Sequence, residues 1–252
     1  MLRTSEQISE RLHIFSRRRL FGSAAGSGSA LGVLAVTGRP AQAQDTCRAV
    51  TKEMQSATSP AAAIQMLKDG NERFATGKEV NCNLLAQVRD TAGGQAPIAC
   101  VVGCIDSRVP PEMVFDQEFG SIFSPRIAGN FVNTDILGSL EFACKVAGAT
   151  AIVVLGHTEC GAVKGAIDKA KLGNLTAMLK NFDPAIAAAK IQGERTSKDK
   201  KQVQKVADEN VKIAVKNITE KSAVLKEMVA KKELVVVGAM HDVSTGKITF
   251  FG

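Results

Sequence analysis

Two short stretches of the chain carry side chains that bind metals: Gly103-Cys104-Ile105-Asp106-Ser107-Arg108 and Gly156-His157-Thr158-Glu159-Cys160-Gly161. Each follows an apolar run, Ile98 to Gly103 in the first case and Ala149 to Leu155 in the second. In an extended segment alternate residues share a face, so Cys104, Asp106 and Arg108 are disposed to one side at the end of the first run. His157 and Cys160 are three apart, which on a first helical turn also puts them on one side. Together the two halves offer a metal two thiolates, an imidazole and, from Asp106, a carboxylate. Sulfur at about 2.3 Å and imidazole nitrogen at about 2.0 Å are the donors of tetrahedral Zn²⁺, and Cys₂His with one position left over is a catalytic pattern. Zinc in such a site lowers the pKa of a bound water to about 7, which makes hydroxide available for hydration or hydrolysis. A structural site closes instead with four Cys or His ligands at C-x₂₋₄-C spacing. Here a carboxylate with an arginine two residues on stands where the fourth would be.

Bringing the halves together requires strands that end side by side. Ala149 to Leu155 is almost continuously apolar, as in a parallel sheet buried on both faces. Strands alternating with helices indicate βαβ units, and both clusters follow the C-terminal ends of strands, where open α/β sheets place their sites. The predicted fold is α/β, a mainly parallel β-sheet flanked by helices. From Asp45 to Thr76 the pattern is helical behind Ser59-Pro60, a cap and first-turn proline, with Gly70 weakening the middle. Gly77 to Gly94 reads as loop with a short helix near Leu84 to Arg89. After Pro110-Pro111 come a short helix to about Phe115, a strand Ile122 to Ile127, and a helix Thr134 to Val146 that buries Ile136, Leu137, Leu140, Ala143 and Val146. A helix from Cys160 to about Lys171, mostly helices from Asn174 to Thr219 with a polar break at Gly193 to Lys200, and a helix Ser222 to Lys231 follow. Glu233 to Ala239 is a strand, Ser244 to Lys247 a turn, and a last strand runs to Phe251. Lys198 to Lys205 is a solvated helix face.

A chain of 252 residues, 45% apolar, buries a sizeable core. Its formal charge of +7 suggests nucleic acid or membrane partners, but the first 43 residues hold six Arg against two acids and the remainder carries only +3. Nucleic acid is therefore set aside. Residues 1–43 read as a cleaved export signal. Arg17-Arg18-Arg19-Leu20-Phe21 precedes 16 mostly small residues, Ser23 to Gly38, and Ala41-Gln42-Ala43 is a cleavage motif. A spanning helix needs about 20 apolar residues. The paired arginines resemble a twin-arginine signal, which implies recognition by export machinery, a periplasmic or otherwise extracytoplasmic mature protein, and no stable membrane insertion after cleavage. An ordinary secretory signal or an uncleaved anchor is the alternative. Residues 44–252 then form a single catalytic domain.

The pair Cys-x-Asp-Ser-Arg and His-x-x-Cys-Gly, with Leu67 to Phe74, Ala128-Gly129-Asn130 and Thr245-Gly246-Lys247, resembles the β-class carbonic anhydrases over about Ala61 to Phe251. The resemblance implies one Zn²⁺ per chain on Cys104, His157 and Cys160, and a zinc hydroxide that attacks CO₂ to give bicarbonate. It makes Asp106 and Arg108 a catalytic dyad that gates and orients that hydroxide. If Arg108 holds Asp106, the fourth position is open; if the pair breaks, Asp106 becomes a metal ligand and excludes water. The closed form in some members uses a bicarbonate pocket of Trp, Arg and Tyr. Here Val101 stands at the Trp position and the chain has no Tyr, although Arg126 matches the Arg. The open form is expected at neutral pH.

The same resemblance makes Gln95 the amide that orients substrate and Phe123 part of the wall that receives CO₂. Phe142 stands where plant-type members have Tyr. Gly161 follows the last ligand, where N–H groups favour an anion. The resemblance also implies an N-terminal helical arm reaching a partner, hence a homodimer or a dimer of dimers. His241, in the place of a family Tyr, is structural, and His13 belongs to the export segment. Cys100 lies about 13 Å along the strand from Cys104 and cannot share its metal. Cys144 is packing, and Cys47 and Cys82 are candidates for a disulfide in an exported protein. Two further readings stay open: hydrolysis of CS₂ or COS by the same ligands, and a non-catalytic zinc-binding or thiol-sensing module.

Overall fold

The apolar runs become neighbours in one sheet of five strands, ordered β2-β1-β3-β4-β5. The computed structural model describes residues 47–80 and 82–251. The strands are β1 (Ala99–Gly103), β2 (Ile122–Phe123), β3 (Ala151–His157), β4 (Val235–His241) and β5 (Ile248–Phe251). The first four run parallel and β5 pairs antiparallel to β4. β1 and β3 are buried at every position, as their unbroken apolar sequences require. Successive residues face opposite layers: Cys100, Val102, Ile152 and Val154 enter one core, and Ala99, Val101, Val153 and Leu155 the other.

α1 (Lys52–Ala57) and α2 (Pro60–Ala75) are separate helices, because Thr58 and Ser59 are extended ahead of Pro60. The Ser59 hydroxyl caps α2 by accepting from the Ala62 N–H at 3.2 Å. α2 buries Ala63, Ile64 and Leu67 against the second core, beside α4 (Pro111–Val114). Between them, α3 (Leu84–Asp90) is capped by Asn83. A disulfide joins Cys47 to Cys82, with Cα atoms 5.3 Å apart.

Three expectations are corrected here. The strand foreseen over Ile122 to Ile127 stops at Phe123, because Ser124-Pro125 interrupts it and proline has no N–H for the ladder; pairing resumes where Ile127 N–H donates to the Gly103 carbonyl at 3.1 Å. The helix foreseen to Val146 is α5 (Thr134–Glu141) followed by a π-turn, Phe142–Val146. The extra residue of that turn rotates Val146 off the buried stripe, and it is 71% exposed. The helix foreseen from Cys160 to Lys171 is α6 (Gly161–Ile167), ending where Lys169 takes a left-handed conformation, φ 54°.

α7 (Gly173–Leu179) and α8 (Asp183–Ala188), joined by a 3₁₀ turn, lead to the polar break before α9 (Lys200–Lys221). α9 lies across the sheet with Val203, Val206, Ala207, Val211, Ala214 and Ile218 buried, a helical-period stripe in an otherwise charged sequence. α10 (Ala223–Ala230) then feeds β4. Among the described residues no helix is long and apolar enough to cross a membrane. The twin-arginine stretch, the cleavage motif and the rest of residues 1–43 lie outside the described residues.

Candidate metal centre

The register of β1 on β3 pairs Gly103 with Leu155, so Cys104 and His157 leave the sheet together at its C-terminal edge. Cys160 stands at the N-cap of α6, the next element of the chain. The sulfurs of Cys104 and Cys160 and a ring nitrogen of His157 lie within 4.8 Å of one another, and all three residues are buried. Zinc bonds of 2.0 to 2.3 Å at tetrahedral angles would set such donors roughly 3.5–3.8 Å apart, so the cluster suits the ion with little adjustment.

The hydrogen bonds around the donors agree with that fit. His157 Nδ1 lies 2.9 Å from the Thr158 carbonyl. A carbonyl only accepts, so Nδ1 carries the proton and Nε2 keeps its lone pair. Nε2 is buried and has no hydrogen-bond partner, which leaves its lone pair available to a metal held with the two sulfurs. Thr158 is itself held from β4 and the turn beyond it: its N–H donates to the His241 carbonyl at 2.9 Å, and its hydroxyl accepts from Val243 N–H at 3.1 Å. The two cysteines behave as a pair sharing one proton. The Cys160 S–H bonded to Cys104 pulls the Cys104 thiol down to about 4 against its burial, with help from His157 and the Gly129 N–H. Giving up that hydrogen and being buried push the Cys160 thiol upward. A divalent cation is the natural replacement for the shared proton.

Arg108 holds Asp106 from two sides: Nε donates to Oδ1 at 2.9 Å and Nη2 to Oδ2 at 2.8 Å, while the Arg108 backbone N–H adds a bond to Oδ1 at 3.0 Å. The guanidinium keeps the Asp106 carboxyl well below the usual carboxylate range. Asp106 was expected as dyad partner or as metal ligand. The close cluster is made of the other three residues; both Asp106 carboxylate oxygens are taken by Arg108, although Oδ2 comes within 3.9 Å of His157 Nε2. Arg126, which the sequence marked only as a match to a bicarbonate pocket, clamps the ligand loop: Nε donates to the Cys104 carbonyl at 2.7 Å and Nη2 to the Asp106 carbonyl at 2.6 Å. No local pattern announces that role, because its partners are 22 and 20 residues away.

A cavity of about 330 Å³ opens beside Cys104 and Asp106, walled by Ala128, Gly161, Ala162, Leu175, Met178 and Leu179 among others. Gly161, expected as an anion contact after the last ligand, lines this cavity. Gln95, Phe123 and Phe142 are not on this cavity. Gln95 lines two others, beside Phe119 and beside Arg48. Phe123 and Phe142 meet edge to face, ring centres 6.2 Å apart, in a third that includes Cys100. Cys100 is raised well above its ordinary value and Cys144 is pushed up to about 12, both first by burial, which marks them as unreactive. His241 is the register partner of His157, buried, and pushed down to about 4 by that burial.

A parallel sheet whose strand ends carry a Cys₂His metal site beside a carboxylate–arginine pair defines an open-sheet α/β zinc enzyme. A profile of the family described as carbonic anhydrase matches residues 99–248. Carbonic anhydrase 2 of Mycobacterium tuberculosis is 34% identical over 192 residues, 75% of this chain and 92% of that protein. The carbonic anhydrase of Mycolicibacterium smegmatis is 30% identical over 193 residues, 76% and 93% of the two chains. Of solved structures, the Coccomyxa β-carbonic anhydrase in complex with acetazolamide matches with a TM-score of 0.59 at 25% identity, over 74% of this chain and 83% of that one. One of two tetrameric β-carbonic anhydrases from Sordaria macrospora gives 0.57 at 28% identity, over 65% and 85%. The chain belongs to the carbonic anhydrase family, in its β class.

Proposed function

We propose that this chain catalyses the reversible hydration of CO₂ to bicarbonate and a proton, with zinc on Cys104, His157 and Cys160. The observation that carries the reading is that three donors close on one point while Arg108 keeps Asp106 off it. Zinc bound there supplies hydroxide near neutral pH by lowering the pKa of a coordinated water to about 7. Asp106, ionised and oriented by Arg108, accepts a hydrogen bond from the nucleophile and fixes its direction. Ala162, Leu175, Met178 and Leu179 present an apolar wall that admits CO₂ and excludes bulk water. The Thr158 carbonyl holds the imidazole in the tautomer that offers Nε2.

The assembly is a homodimer or a dimer of dimers. Gln95, Phe123 and Phe142 line cavities other than that of their own chain's ligands, and Leu84, Met113 and Phe119 are exposed beside Gln95. A second copy would cover these side chains and complete the pocket. Residues 1–43 direct export through the twin-arginine route to the periplasm and are removed after Ala43, the reading supported by Arg17-Arg18 and Ala41-Gln42-Ala43. A mature N-terminus other than Gln44, or export indifferent to Arg17→Lys with Arg18→Lys, would refute that part.

Stopped-flow CO₂ hydration from pH 6.5 to 9, on zinc-loaded protein beside Cys104→Ala, tests the activity. Hydration that rises with pH and is lost in the variant, in a preparation that sediments as a dimer or larger, is expected. One zinc per chain with no hydration at any pH would redirect the search to CS₂ or COS.

A further inference from the structure

Asn210 is a buried amide on the sheet-facing side of α9, among Val206, Ala207, Val211 and Ala214. An amide in such surroundings is costly unless hydrogen-bonded. Its Nδ2 donates to the Gly129 carbonyl at 2.8 Å, across 81 residues of chain. Gly129 N–H, in the preceding peptide, donates to Cys104 Sγ at 3.1 Å. Gly129 has φ +81°, and a Cβ there would lie 2.2 Å from Phe182 Cζ, so only glycine fits. Glycine leaves the peptides on either side free to turn. Within the loop the turn around Gly129 is closed by the Asn130 N–H on the Ile127 carbonyl at 3.0 Å, and Asn210 adds a tie to the Gly129 carbonyl from outside it.

We propose that Asn210 is a positioning residue for the metal thiolate: by holding the Gly129 carbonyl it keeps the Gly129 N–H on Cys104 Sγ. That hydrogen bond draws charge from the sulfur and pre-aims it at the cation. Outer groups of this kind, when removed, cost about 10- to 100-fold in metal affinity. Asn210 touches neither substrate nor metal and acts only through Gly129.

The inference rests on the zinc reading above, and its test separates the two. Zinc affinity is measured by chelator competition, and the sulfur-to-metal charge-transfer band is recorded with Co²⁺ in place of zinc, for wild type, Asn210→Leu and Gln55→Leu. Gln55 is another buried amide, whose Nε2 donates to the Pro97 carbonyl at 2.6 Å and the Ala147 carbonyl at 2.9 Å, ahead of β1 and β3 and so at the opposite ends of those strands from the ligands. Gln55→Leu should lower the melting temperature and leave both metal readouts unchanged. Asn210→Leu should weaken zinc by about 10- to 100-fold and move the Co²⁺ band to longer wavelength, because a sulfur without its N–H donor is richer in charge. Zinc affinity and band position unchanged in Asn210→Leu would overturn the proposal, whatever happens to its stability. Should that variant not fold, the same readouts on Asn210→Ala decide. Wild type that fails to bind zinc would instead sink the reading of the site itself.

Discussion

His157 and His241 stand side by side on β3 and β4, yet their surroundings assign them opposite work. His157 has one nitrogen satisfied and one left for a metal. His241 has both ring nitrogens buried without a partner, and burial, followed by the neighbouring His157, pushes it down to about 4. The sign of its effect on stability follows. Between its ordinary value near 6.5 and about 4, the unfolded chain takes up a proton that the folded chain refuses, so stability falls as the pH falls through that window. His241→Leu removes the difference. On metal-free protein, so that zinc release does not enter, denaturant unfolding should show wild type losing about 2–3 kcal/mol more than the variant between roughly pH 7.5 and 4.5. Parallel stability curves would mean that His241 is hydrated in the fold.

α2 shows how one small residue docks an element. Gly70 is a poor helix former, and Ala at the same place would gain about 1 kcal/mol in an isolated helix. In the fold a Cβ at Gly70 would lie 1.8 Å from the Phe115 carbonyl oxygen, so α2 and the end of α4 approach with nothing between them. Asn71 then joins α2 to both the Val114 carbonyl and the β4–β5 turn, and its Oδ1 accepts from Ile248 N–H at 2.8 Å. Gly70→Ala is therefore expected to destabilise the protein by about 1–3 kcal/mol, the cost of overpacking outweighing helix propensity. Calorimetry that finds an unchanged or raised melting temperature would show that α2 slides freely on α4.

Across the described chain, four cysteines are free and two are joined. The Cys47–Cys82 bridge spans a separation of 35 residues and ties the segment before α1 to the loop before α3. Gln87 on α3 reinforces the tie, donating to the Cys47 carbonyl at 3.1 Å and accepting from Phe119 N–H at 3.0 Å. Cross-linking a loop of that length contributes roughly 3–4 kcal/mol by restricting the unfolded chain. Replacing both cysteines by serine should lower stability by about that much while zinc stoichiometry stays at one per chain. Equal stability with and without reductant in the wild type would show that the bridge does not form. A disulfide in the same chain as two metal-binding thiols is also consistent with the export proposed above, since such bonds persist outside the reducing cytoplasm.

Donor chemistry and periodicity are local properties, and what depends on them was legible in the residues alone. Cys104, His157 and Cys160, the unbroken apolar strands β1 and β3, the Ser59-Pro60 helix start and the pairing of Asp106 with Arg108 are all written within a few neighbours. What the tertiary structure decided concerns contacts between distant parts of the chain. Pro125 cuts β2 short because its neighbour in the sheet needs an N–H that it lacks, and the π-turn at Phe142 turns Val146 to solvent. Arg126 reaches the ligand loop across 22 and 20 residues and Asn210 reaches the Gly129 carbonyl across 81, while Gln95, Phe123 and Phe142 lie on cavities other than that of the ligands. Side-chain identity determines which atoms a metal accepts. Only the closure of long loops and the meeting of buried surfaces determines which atoms hold those donors still.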